Sequence, residues 1–77
     1  MELTEEEKIR IGPIYQKAVL LVRQKGRVSY SAIQRRFGIG YFAADLCVKA
    51  MERNGVIGPA DNLGMREVYL ENKGAEA

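Results

Sequence analysis

The stretch Ser29-Tyr30-Ser31-Ala32-Ile33-Gln34-Arg35-Arg36-Phe37-Gly38-Ile39-Gly40-Tyr41, continuing to Asn54, decides how this chain is read. Its pattern predicts a short helix, a tight turn and a longer helix. The Ser31 hydroxyl can accept a hydrogen bond from the first free amides of a helix, which makes Ser31 the expected N-cap. Ile33 and Phe37 fall four apart, on one helical face. Gly38 and Gly40 bracket Ile39 and allow the backbone to turn where a Cβ would be strained. From Tyr41 the apolar residues return at helical spacing: Ala44, Cys47, Val48 and Met51 form one stripe. Asn54-Gly55 ends that helix, with Gly55 as the left-handed residue beyond it. Two helices joined by a glycine turn of this length make a helix-turn-helix, whose second helix is the one offered to DNA.

Upstream, Thr4-Glu5-Glu6-Glu7 fits a capping box with acids in the first turn. A helix is expected from there to about Ile11, with Gly12-Pro13 interrupting it and Pro13 opening a new one. The new helix carries Ile14, Ala18, Leu21 and Val22 on one face, widened by Tyr15 and Val19, and should stop at Gly26. Arg27-Val28-Ser29 could pair as a small strand. Downstream, Val56-Ile57-Gly58 and Glu67-Val68-Tyr69-Leu70 are short apolar runs separated by turn chemistry, which reads as a β-hairpin. The expected fold is a small, mostly α, α/β domain: a winged helix-turn-helix with a three-helix core and a C-terminal β-hairpin wing. Residues 1–11 form an acidic, helical N-terminal segment, 12–70 the winged-helix domain and 71–77 a disordered tail.

A chain of 77 residues makes one domain, with no room for an active site enclosed by a second. The absence of His excludes zinc sites and histidine catalysis. The single Cys47 lies on an apolar stripe and packs as a small hydrophobe. No catalytic residues, metal or cofactor are implied, and the chain does not read as an enzyme. No apolar run is long enough to span a membrane and the N-terminus is acidic, so a cytoplasmic protein is expected, nucleoid-associated if it binds DNA. The overall charge of +2 conceals a segregation: residues 1–7 carry four acids and no base, while residues 8–66 carry eleven bases against three acids, a net of +8. That basic middle is the footprint of a polyanion binder, or else a solvated face flanked by acidic ends.

The run Ile33-Gln34-Arg35-Arg36-Phe37-Gly38-Ile39-Gly40-Tyr41, with Ala44, Met51-Glu52, Gly55-Val56-Ile57 and then Asn62, Gly64 and Arg66-Glu67-Val68, resembles the gamma domain of FtsK/SpoIIIE-type DNA translocases. The likeness runs from about Ile14 to Leu70. It implies a winged helix that reads a short guanine-rich DNA sequence and touches a site-specific recombinase. Two departures stand out. The family's domain ends a large motor, whereas this sequence opens at Met1 and carries no ATPase pattern, which suggests an excised piece or a free-standing relative. The family also opens its recognition helix Tyr-Asn-Arg-Ala-Ala-Arg, where this chain has Tyr41-Phe42-Ala43-Ala44-Asp45-Leu46. The three polar readers of the resemblance are replaced by Phe42, Ala43 and Leu46.

On helical spacing Phe42, Leu46, Lys49 and Arg53 share an outward stripe of the second motif helix. Phe42 and Leu46 then form a partner-binding apolar patch, or else Phe42 folds back onto Tyr41 or Tyr30 or simply sits exposed as single apolar residues often do. Double-stranded DNA is the first expected partner. Its phosphates would be gripped by Ser29, Ser31, Gln34, Arg35 and Arg36 at the first motif helix, Tyr41, Lys49 and Arg53 on the second, and Arg66 at the wing. Lys25 and Arg27 flank the preceding loop. The alternative is a protein-interaction module that binds a recombinase, a translocase or another host protein through Phe42 and Leu46, or a homodimer through the same patch.

Overall fold

The computed structural model describes residues 2–72. Three helices follow in order: α1 (Glu5–Lys25), α2 (Tyr30–Phe37) and α3 (Tyr41–Arg53), with α3 packed against both others. The capping box at the start of α1 is present: the Thr4 hydroxyl accepts from the Glu7 amide at 3.2 Å, and the Glu7 carboxylate accepts from the Thr4 amide at 2.8 Å. The interruption expected at Gly12-Pro13 does not occur. The helix runs through Pro13 as one element. Ile9, whose carbonyl loses its partner at Pro13, and Pro13 itself both lie on the exposed face, where water can substitute. The opposite face buries Ile11 before the proline and Tyr15, Ala18, Val19 and Val22 after it. Packing of that continuous stripe outweighs one missing bond.

The N-cap of α2 is Ser29, not Ser31. Ser29 has the extended backbone a cap requires and its Oγ accepts from the Ala32 amide at 3.2 Å, whereas Ser31 is already helical and exposed. Ser29→Ala is therefore expected to cost about 1 kcal/mol and Ser31→Ala less than about 0.5 kcal/mol in a urea titration. Of the two turn glycines only Gly38 is left-handed, at φ +63°, closing α2 by donating to the Gln34 carbonyl. Gly40 has φ −79° and serves as the N-cap of α3 without needing a glycine backbone. Gly55 takes the expected left-handed conformation at φ +75°. Just before it, the buried Asn54 amide donates to the Tyr15 hydroxyl at 3.0 Å and to the Glu2 carbonyl at 2.9 Å, tying the end of α3 to the middle of α1 and to the chain ahead of it.

The hairpin wing is reduced to a single antiparallel bridge, Ile57 with Val68, and among the described residues no extended strand forms. Gly58 N–H donates to the Glu67 carbonyl and Tyr69 N–H to the Val56 carbonyl, each at 2.9 Å. Pro59 then removes the donor that would lengthen the ladder. Asp61 diverts the chain further: its carboxylate accepts from the Leu63 and Met65 amides, both at 2.9 Å, and builds a turn instead of paired strand. The small strand considered at Arg27-Val28-Ser29 is likewise absent; Val28 packs on the core from irregular backbone. Of the tail expected to be disordered, Glu71 and Asn72 are described and residues 73–77 lie outside the described residues. Arg23 on α1 anchors the start of that tail, donating from Nε to the Tyr69 carbonyl at 2.7 Å and from its terminal nitrogen to Asn72 Oδ1 at 2.9 Å.

Candidate nucleic-acid interface

The cations of the helix-turn-helix divide into two groups with different surroundings. Beside α2, Lys25 from the last turn of α1, Arg27 from the loop and Arg35 from the last turn of α2 line an open cleft of about 290 Å³, together with Ser29 and Ser31 at the start of α2. All three cations are exposed, and among the described residues none has an acidic partner within 4.0 Å. The N-terminal end of α2, with no acid in its first turn, adds its own partial positive charge here. Arg36 is exposed and lies over the ring of Phe37, 5.9 Å from its centroid, while Gln34 is half-buried.

The second group, on α3 and at the wing, is neutralised by neighbouring acids. Lys49 pairs with Asp45 at 2.9 Å, and that carboxylate also accepts from the Tyr30 hydroxyl at 3.0 Å. The bond from Lys49 holds Asp45 below its ordinary pKa against the opposing effect of burial, and the same bond raises Lys49. Burial first, then Asp45, pushes Tyr30 up. Arg66 donates to Glu52 at 2.9 Å and to the Gly58 carbonyl at 3.0 Å, which pins the wing to α3. Arg53 leaves the surface stripe expected of it. It bonds Glu7 of α1 through two nitrogens, one of them at 3.1 Å, and donates to the Glu2 carbonyl at 3.1 Å.

Two members of the outward stripe, Phe42 and Arg53, meet side chains of α1, while Lys49 pairs within α3. Leu46 is half-buried against the core, so it does not join Phe42 in an exposed apolar pair. Phe42 remains 56 % exposed, and its ring lies beneath the Arg10 guanidinium, 5.2 Å from the centroid, rather than against a tyrosine. Tyr30 and Tyr41 instead stack on each other, centroids 5.2 Å apart and planes 17° from parallel. Tyr41 stays largely exposed at the head of α3.

The sequence profile of the Ftsk gamma domain matches residues 10–71. The chain belongs to the FtsK gamma domain family. The DNA translocase FtsK of Mesorhizobium japonicum is 46 % identical over 56 residues, which cover 73 % of this chain and 6 % of that protein. The DNA translocase FtsK of Bradyrhizobium diazoefficiens is 40 % identical over 62 residues, covering 80 % of this chain and 8 % of the relative. That of Rickettsia typhi is 42 % identical over 57 residues, covering 74 % and 8 %. The chain therefore spans less than a tenth of the length of these relatives.

In this gamma domain the first turns of α1 precede the matched segment and supply Glu7, the partner of Arg53. Neither that contact nor the placement of Arg10 on Phe42 is written in local spacing, since each joins residues more than thirty positions apart. Cys47 is fully buried, and burial pushes its thiol up to about 11, so it stays protonated and unreactive near neutral pH. Among the described residues no group of acids and cysteine could hold a metal ion, and no helix is long and apolar enough to cross a membrane.

Proposed function

We propose that this gamma domain binds double-stranded DNA, gripping backbone phosphates around the start of α2 and setting the head of α3 against the major groove. One observation carries the reading. Lys25, Arg27 and Arg35 surround the Ser29 and Ser31 hydroxyls without acidic partners, while the cations of α3 and the wing are spent on Asp45, Glu7 and Glu52. Cations flanking hydroxyls at a helix N-terminus suit phosphate oxygens, and such contacts position a protein without reading bases. The name of the relatives, DNA translocase, supports DNA as the partner. Arg36, Gln34 and the Tyr41 hydroxyl extend the grip along the motif. Lys49, Arg53 and Arg66 act chiefly within the domain. A phosphate-driven grip is steep in salt and tolerant of sequence.

The test is a fluorescence-anisotropy titration against random, A·T-rich and guanine-rich duplexes from low to physiological salt. Binding to all three at low salt, lost as salt rises, is expected. Failure to bind any duplex at low salt refutes the proposal.

A further inference from the structure

Apart from the Tyr41 hydroxyl, the head of α3 offers no outward polar group in its opening positions: Phe42, Ala43 and Leu46 stand there. A guanidinium nevertheless stands there, supplied by α1. Arg10 lies over the Phe42 ring at 5.2 Å, and its Nε donates to Glu6 Oε2 at 3.1 Å across one helical turn. The ring covers one side of the group and the carboxylate engages its Nε. Among the described residues the two terminal nitrogens have no partner, and the side chain is 51 % exposed. A planar fork that meets the ring and the carboxylate on its inner side, with its outer edge open, matches an edge that offers two acceptors side by side. In the major groove that edge is the O6/N7 pair of guanine. Unlike the Lys49 ammonium, whose single nitrogen is held by Asp45, the Arg10 group meets Glu6 through Nε alone and keeps both terminal nitrogens for a ligand.

We infer that Arg10, stacked on Phe42, is a guanine-reading residue that α1 supplies to the head of the recognition helix. The inference rests on the DNA-binding reading above. It makes Phe42 the platform of the reader.

The test compares Arg10→Leu and Phe42→Leu with the unaltered chain on one guanine-bearing duplex and on the same duplex with 7-deazaguanine, which lacks the N7 acceptor. Anisotropy is read across salt, with urea unfolding of each variant alongside. The unaltered chain is expected to bind the deaza duplex more weakly. Arg10→Leu should abolish that difference, a loss of roughly 5- to 150-fold confined to the guanine duplex. Phe42→Leu, which keeps the charge and loses the platform, should diminish it. An equal loss on both duplexes, with the salt slope lowered by about one, overturns the inference and makes Arg10 a phosphate contact. Arg10→Leu binding like the unaltered chain also overturns it, while leaving the DNA reading intact. If the unaltered chain binds neither duplex, both readings fall together.

Discussion

Replacing Arg53 with alanine is expected to lower the free energy of unfolding by about 2–3 kcal/mol, read by urea titration at neutral pH. Glu7 is only 5 % exposed, and Arg53 is its one cationic partner among the described residues. Removing a single member of such a pair strands the other charge in a poorly hydrated site. The figure sits below that for fully buried pairs because the Arg53 side chain is itself 44 % exposed. Arg53 also donates to the Glu2 carbonyl, so its loss loosens the chain ahead of α1 as well.

The same pair predicts a pH signature. The hydrogen bond from Arg53 is the largest influence holding Glu7 below its ordinary value of 4.5; burial opposes it, and the Thr4 amide assists. The folded state then binds the Glu7 proton less readily than the unfolded chain. Its contribution is fully present above the unfolded value near 4.5 and is lost as pH falls through the lowered folded value. In the Arg53→Ala variant the main lowering influence is gone and burial remains. Its acid-side loss of stability should shrink relative to the unaltered chain. A variant equally stable at pH 7 and equally acid-sensitive would mean that the pair contributes nothing to the packing of α1 on α3.

The second large effect is on binding. Exchanging Lys25, Arg27 and Arg35 together for glutamine is expected to lower the slope of log K against log salt by about 2.7, since each phosphate neutralised contributes about 0.9. At 0.1 M salt that corresponds to an affinity loss of roughly 10²- to 10³-fold. All three side chains are exposed, so the fold should be retained, with stability changed by less than about 1 kcal/mol. Lys49→Gln is the informative contrast. Its ammonium is held by Asp45 at 2.9 Å, so its removal should change the slope far less than one third of the triple exchange. A full unit lost with Lys49, or an unchanged slope in the triple variant, would move the phosphate grip from the start of α2 to α3.

Much of the architecture was legible in the residues because it is written in local spacing. The stripe Ala44, Cys47, Val48 and Met51 is fully buried as read, Gly26, Gly38 and Gly55 are left-handed, and the Thr4 capping box is formed. The errors lie where two local rules competed. Pro13 argued for a break, yet the apolar stripe on either side of it carried the helix through. The sequence points to Ser31 as the cap, but the extended backbone and the accepting Oγ are those of Ser29, two residues earlier. Val56-Ile57-Gly58 and Glu67 to Leu70 have strand composition, but Pro59 and the Asp61 turn leave one bridge between them.

The candidate interface was less legible. The cations could be counted from the sequence, and their segregation into a net +8 middle is a property of composition. Which of them remain available could not be read, because availability depends on where the acids arrive. Arg53 looks like a surface reader at helical spacing, and becomes a clamp only when α1 brings Glu7 against it. Arg10 looks like an ordinary i,i+4 partner of Glu6 until α3 places Phe42 beneath it.

Apart from the joining of the two segments around Pro13 into one helix, the sequence by itself determined where helix forms and in what order, the apolar faces that must meet and the excess of positive charge between acidic ends. These follow from periodicity, caps and composition, which act over a few residues. The tertiary structure alone decided which charges are spent inside the domain and which face outward. It did so because electrostatic pairing depends on distance through space, and contacts between α1 and α3 join residues that lie far apart along the chain.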